Sequence, residues 1–63
     1  MNTGTVKFFN VSKGYGFIKN NENGQEIFVH ANGLIDKISQ DDQVTFDVQD
    51  GRRGPSAINV RRA

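Results

Sequence analysis

The alternation of apolar and polar positions is clearest in two short stretches, Lys13-Gly14-Tyr15-Gly16-Phe17-Ile18 and Ile27-Phe28-Val29-His30. Side chains on a strand point alternately to opposite faces. In the first stretch Lys13, Tyr15, Phe17 and Lys19 therefore share a face, opposite Gly14, Gly16 and Ile18. In the second, Glu26, Phe28 and His30 lie opposite Ile27 and Val29. A small fold has one core, and the aliphatic faces of both strands belong in it. Tyr15, Phe17, Phe28 and His30 are then left pointing at solvent beside lysines. Rings exposed in this way are costly in water unless a partner covers them. Flat rings interleaved with cations suit unpaired bases on a phosphate backbone.

The remaining pattern predicts short strands and dense turns. Thr3 to Val11 is rich in β-branched and aromatic residues and predicts a first strand. A turn at Val11-Ser12-Lys13-Gly14 follows, in which Gly14 takes positive φ without steric cost. Tyr15 to Asn20 and Glu26 to His30 are the second and third strands, joined by Asn20-Asn21-Glu22-Asn23-Gly24 with an Asn-Gly hairpin signal. Gln43 to Gln49 alternates with Val44, Phe46 and Val48 on one face, and Ser56 to Arg62 with Ala57, Asn59 and Arg61 opposed to Ile58 and Val60. The loop between them is Asp50-Gly51-Arg52-Arg53-Gly54-Pro55. Only Gly33 to Asp42 has helical spacing, and ten residues predict no more than a single turn within a long connection. Five short strands without room for two full sheets point to a small closed barrel, which removes exposed edges.

Sixty-three residues predict one domain, spanning 1–63, that buries only about 60% of its unfolded surface. With no cysteine and one histidine, neither a disulfide framework nor a thiolate or zinc site is expected. The longest purely apolar run, Ile27-Phe28-Val29, is too short for a signal or membrane segment, so a cytoplasmic protein is the expectation. The net charge of +1 is modest for a nucleic-acid binder, but its distribution is not even. Residues 1–20 carry Lys7, Lys13 and Lys19 and no acid, while all seven acids fall between Glu22 and Asp50. Arg52, Arg53, Arg61 and Arg62 close the chain. The aromatic-rich N-terminal third is thus purely basic, and a local positive face coexists with a near-neutral total.

Taken together, these residues resemble the cold shock domain, specifically the small single-domain bacterial cold shock proteins. Gly4-Thr5-Val6-Lys7-Phe8-Phe9-Asn10 resembles the family's opening strand. Lys13-Gly14-Tyr15-Gly16-Phe17-Ile18 and Ile27-Phe28-Val29-His30 are similar to its two ribonucleoprotein motifs. The stretch from Gly51 to Val60 resembles its closing loop and strand. The resemblance implies an all-β, five-stranded antiparallel barrel of the oligonucleotide-binding kind (OB-fold). It also implies binding of single-stranded RNA and DNA, with RNA-chaperone or gene-regulatory roles in cold adaptation. This chain departs from the family pattern in two places. Phe8 stands where a tryptophan is usual, and Ala31 at or near a usual phenylalanine. The connection from His30 to Phe46 is shortened and lacks an aromatic. Fewer stacking positions imply weaker binding or a shorter footprint, and Asp36, Asp41 and Asp42 would repel a phosphate passing close by.

Tyr15, Phe17 and Phe28 are the candidate stacking platforms. The first two are spaced roughly 6.6 Å along a strand, a repeat that extended bases can follow. His30 would stack on a base or hydrogen-bond to a base or phosphate. Strict alternation from Val6 sends Phe8 inward, whereas the resemblance places it outward; a bulge after Lys7 reconciles the two. Lys7, Lys13 and Arg53 are candidate phosphate contacts. Glu26 would accept a hydrogen bond from a base N–H, and Asn10 would read a base edge. Gly14 and Gly16 serve turn geometry and close approach, since no helix follows to make a phosphate cradle. Asp41-Asp42 and the lone Ser12, Ser39 and Ser56 form no catalytic pattern, so no catalytic residue, cofactor or metal is expected, and the chain is expected to act as a monomer. The alternative from another class is a β-barrel module that binds a peptide on the same aromatic face.

Overall fold

The computed structural model describes residues 2–51 and 54–63. Five strands, β1 (Asn2–Asn10), β2 (Tyr15–Asn20), β3 (Glu26–His30), β4 (Gln43–Gly51) and β5 (Gly54–Arg62), close into a barrel in the order β1-β2-β3-β5-β4. Four of the joints are antiparallel, and β3 and β5 pair in parallel through Phe28↔Ser56 and Val29↔Ala57. The parallel joint is a topological necessity. Around a closed ring of five strands, up–down alternation must fail once.

The core is aliphatic with a single ring: Val6, Ile18, Ile27, Val29, Ile38, Val44, Phe46, Ala57 and Val60 are buried, and Phe9 and Leu34 pack against them. The inward faces expected for β2 and β3 are the ones observed. Two bulges explain where strict alternation does not hold. In β1 the register slips between Val6 and Phe8, so that Lys7 is an extra residue opposite β2. Both Lys7 and Phe8 then face out, and Phe9 turns onto the core. In β5 the register slips opposite Phe46, and Asn59 adopts a left-handed conformation with φ 53°. Asparagine tolerates that region better than most residues, and its Nδ2 donates to Asp47 Oδ2 at 3.2 Å. Ala57 and Val60 both point inward as a result, which corrects the simple alternation expected for Ser56 to Arg62.

The connection between β3 and β4 also differs from the expected single turn within Gly33–Asp42. The one helical turn among the described residues of the connection is a 3-10 helix at Ala31–Gly33, immediately after β3. A separate non-helical turn at Ser39–Asp42 is closed by the Asp42 N–H donating to Ser39 O at 3.1 Å. Beyond the 3-10 turn the chain leans on β5: Leu34 bridges to Val60, and the N–H groups of Ile35 and Asp36 both donate to the Val60 carbonyl. These bonds take the place of helical ones; Leu34 is partly buried against the core and Ile38 fully in it, while Ile35 is exposed.

Two glycines bear directly on the site's frame. Gly14 has φ +73° and closes the β1–β2 turn, its N–H donating to Asn10 O at 2.8 Å. Gly16 lies against β1 so closely that a Cβ there would sit 2.7 Å from Phe9 Cα. That contact is backbone to backbone, and only glycine admits it.

Candidate nucleic-acid interface

β1, β2 and β3 present their outward side chains in registered rows. One row is Phe8, Phe17 and Phe28; the next is Asn10, Tyr15 and His30; a third is Thr5, Lys19 and Glu26. The β1 bulge is what brings Phe8 into the first of these. Four rings thereby form one contiguous patch. Phe8 lies 5.6 Å from Phe17 and 6.3 Å from Tyr15, while Phe28 lies 5.8 Å from Phe17 and 6.0 Å from Tyr15, centroid to centroid. The Tyr15 and Phe28 planes are within 20° of each other, and the Phe17–Phe28 pair meets edge to face at 76°. Such contacts hold the rings in fixed orientations without burying their outer faces. Phe8, the most open, is 37% exposed.

Charged and polar groups frame the patch. Lys7 Nζ donates to Glu26 Oε1 at 2.8 Å, with both side chains about half exposed, so two candidates from different strands neutralise each other. Lys19 stands in the same row as Glu26 and shares with it, Lys7 and Asp41 a cleft of about 490 Å³. Lys19 was absent from the expected site residues, although alternation along β2 already places it on the aromatic face. Lys13 is exposed in the β1–β2 turn, and its N–H is held by Asn10 Oδ1 at 3.1 Å. Asn10 therefore already spends its carbonyl oxygen on a turn cap. His30 accepts the Asn32 N–H at Nδ1, 3.2 Å away, leaving Nε2 toward solvent. Arg53 lies outside the described residues. Of the three acids expected to repel phosphate, only Asp41 lines a cleft with site residues. Asp36 and Asp42 are tied instead to the Arg62 and Ser39 N–H groups.

An outward aromatic patch on adjacent strands of a closed barrel, bordered by lysines, has a counterpart among known proteins. The 'Cold-shock' DNA-binding domain family matches residues 2–63. The chain belongs to that family. This cold-shock domain is 43% identical to cold shock protein CspC of Bacillus subtilis, with all of both chains covered. It is 42% identical to a major cold shock protein of Streptococcus pyogenes, over 98% of this chain and 97% of that one, and 41% identical to that of Micrococcus luteus, over 98% of each. The match to the Bacillus protein runs over 67 positions, so four of them fall opposite gaps in this shorter chain. The cold-shock domain is a nucleic-acid-binding fold, and this chain is a nucleic-acid-binding protein of the cold-shock type. Among its described residues no helix is long and apolar enough to cross a membrane.

The Lys7–Glu26 pair gives a prediction of its own. An exposed pair contributes only about 0.2–1 kcal/mol to folding, so Glu26→Gln is expected to leave stability nearly unchanged. It removes a negative charge from the binding face and frees Lys7. Affinity for a single strand should rise at low salt, because Lys7 no longer has to leave a carboxylate to reach a phosphate, while the log–log salt slope stays close to that of the wild type, which already includes the Lys7 contact. Titrations of wild type and variant at several salt concentrations check it; an unchanged affinity would mean that the Lys7–Glu26 pair does not compete with the strand.

Proposed function

We propose that residues 1–63 work as one domain that binds single-stranded RNA and DNA across β1, β2 and β3. Phe8, Tyr15, Phe17, Phe28 and His30 stack on bases, and Lys7, Lys13 and Arg53 neutralise phosphates. Glu26 and Asn10 contact base edges once Lys7 has turned to the backbone. The protein acts by binding alone, without catalysis, as a cytoplasmic monomer. Holding strands unpaired makes it an RNA chaperone or a regulator of transcription or translation in cold adaptation.

The observation that carries this reading is the continuity of the ring patch over three strands, with rings about 6 Å apart and outer faces open. A base has a π-face whatever its sequence, and stacking contributes ~1–3 kcal/mol per base. Duplex nucleic acid hides those faces, so single strands are the partner that fits. RNA and DNA should bind with similar affinity, since stacking makes no demand on the 2′-hydroxyl. Titration with homopolymeric single strands and a matched duplex tests it. Single strands should bind with a salt slope corresponding to about two to four phosphates at ~0.7 each, and the duplex much more weakly. A flat salt response would favour the peptide-binding alternative, which has no phosphates to neutralise.

A further inference from the structure

Of the asparagines in this chain, only Asn23 and Asn32 are followed by glycine. That dipeptide carries a reaction of its own. The glycine nitrogen attacks the carbonyl carbon of the asparagine side chain and closes a five-membered ring, and a glycine has no Cβ to shield its nitrogen. In a folded chain the rate depends on how firmly the attacking nitrogen and the attacked amide are held. The two sites differ in both.

At Asn23 both groups are held. The Gly24 N–H donates to the Asn20 carbonyl at 2.8 Å, and Asn23 Oδ1 accepts the N–H two residues on, that of Gln25, at 2.9 Å. Ring closure there would break two short bonds and open the β2–β3 loop. Asn32 is exposed, and the N–H two residues on, that of Leu34, goes to the Ala31 carbonyl at 3.2 Å and not to Asn32 Oδ1. The Gly33 N–H belongs to a single 3-10 turn, whose bonds have poorer geometry than those of an α-helix.

Asn32 also stands where a change of charge is felt. Phe28 is registered with Ser56 on β5, and Ser56 with Gln49 on β4. A cleft of about 580 Å³ opens along this row beside His30, and Asn32 lines it. The Asn32 N–H is tied to His30 Nδ1 at 3.2 Å, so the residue is fixed to the border of the aromatic face by its main chain. Gly33 is seated so closely on β5 that a Cβ there would lie 2.7 Å from the Ala57 carbonyl oxygen. The turn has no room for an additional main-chain atom.

We propose that Asn32 is a site of spontaneous deamidation, which weakens the binding face as the protein ages. Gly33 N bonds to Asn32 Cγ, the bond from Cγ to the amide nitrogen breaks, and that nitrogen leaves as ammonia with the Gly33 proton. Water then opens the cyclic imide at one of its two carbonyls. The product is aspartate or, with the main chain lengthened by one carbon, isoaspartate. Both place a carboxylate beside His30, and isoaspartate also unseats Gly33 from β5. The reaction is independent of what the protein binds; its effect on affinity rests on the single-strand reading above.

The test holds the folded protein at mildly alkaline pH and follows it by mass spectrometry. Cleavage after Glu26 puts Asn23 and Asn32 on different fragments, and an isoaspartyl-specific methyltransferase marks the product. Acid should accumulate at Asn32 well before Asn23. In denaturant the two should react at similar rates, and Asn32→Gln should abolish the fast event in the folded protein. Equal rates in the folded protein, Asn23 reacting first, or no reaction at Asn32 while the denatured chain reacts, each overturns the site. Asn32→Asp should bind an oligothymidine strand roughly fivefold more weakly than wild type at low salt, with the gap closing as salt rises. Equal affinity overturns the weakening of the binding face. Failure of wild type to bind the strand at all overturns the single-strand reading and leaves the reaction at Asn32 standing.

Discussion

Ile18→Ala is expected to leave most of the chain unfolded in water at room temperature. Ile18 is fully buried between Val6 of β1 and Ile27 of β3, its partners in register. Its Cγ2 lies so near the Gly4 backbone that a Cβ on Gly4 would be 2.6 Å from it. The wall behind that methyl is main chain already committed to the ladder, so the site cannot collapse around a smaller residue. A truncation of this kind costs roughly 2–4 kcal/mol through lost burial and the cavity left behind. A barrel of this size has only a few kcal/mol in hand. Val29→Ala, equally buried, should act in the same direction with a smaller loss. Denaturant titration followed by circular dichroism reads the effect directly; an unchanged midpoint for Ile18→Ala would remove Ile18 from the core.

Phe28→Ala is expected to do the reverse, weakening single-strand binding by ~1–3 kcal/mol with a smaller loss of stability. Phe28 sits where the ring patch meets the cleft toward β5. It touches both Tyr15 and Phe17, so its removal takes away one platform and loosens the two beside it. Because the ring is only half buried, folding loses the ~0.5–1.5 kcal/mol of its ring–ring contacts and no cavity opens. Phe17→Ala should follow the same pattern. Anisotropy titration with a labelled hexanucleotide, run beside the denaturant curves, separates the two effects. If Phe28→Ala unfolds the protein while Val29→Ala is silent, the two faces of β3 have been exchanged.

Ala31→Phe probes the missing stacking area at the rim. The residue is exposed in the 3-10 turn, its N–H tied to the Gly14 carbonyl beside Tyr15 and His30. A ring there should tighten binding to a hexanucleotide and do little for a dinucleotide. No gain with the longer strand would mean that bases do not pass over this turn.

Local pattern was enough for much of this. β2 and β3 were legible to the residue, because each is short, strictly alternating and bounded by turn residues. Their inward and outward faces followed from one comparison, aliphatic against aromatic. Gly14 could be assigned from sequence because Ser-Lys-Gly between two strands needs a positive φ, and Gly16 because a glycine within a strand marks close approach.

Tertiary structure decided what depends on partners distant in the chain. Whether Phe8 or Phe9 faces out turned on an extra residue opposite β2, and the residues of β1 read the same with or without it. The inward positions of β5 turned on a bulge at Asn59, made tolerable by an asparagine whose amide reaches Asp47 on another strand. The apolar residues of the 33–42 connection keep helical spacing, yet the Val60 carbonyl of β5 takes the N–H groups of Ile35 and Asp36 in place of helical acceptors. The salt bridge between Lys7 and Glu26, and the row joining Phe28 to Ser56 and Gln49, exist only once the barrel closes. Sequence alone determined that this chain makes a small β-barrel with a basic aromatic face, because alternation and composition are local properties. Closure set which groups meet on that face, because register between strands far apart in the chain is fixed by packing around the shared core.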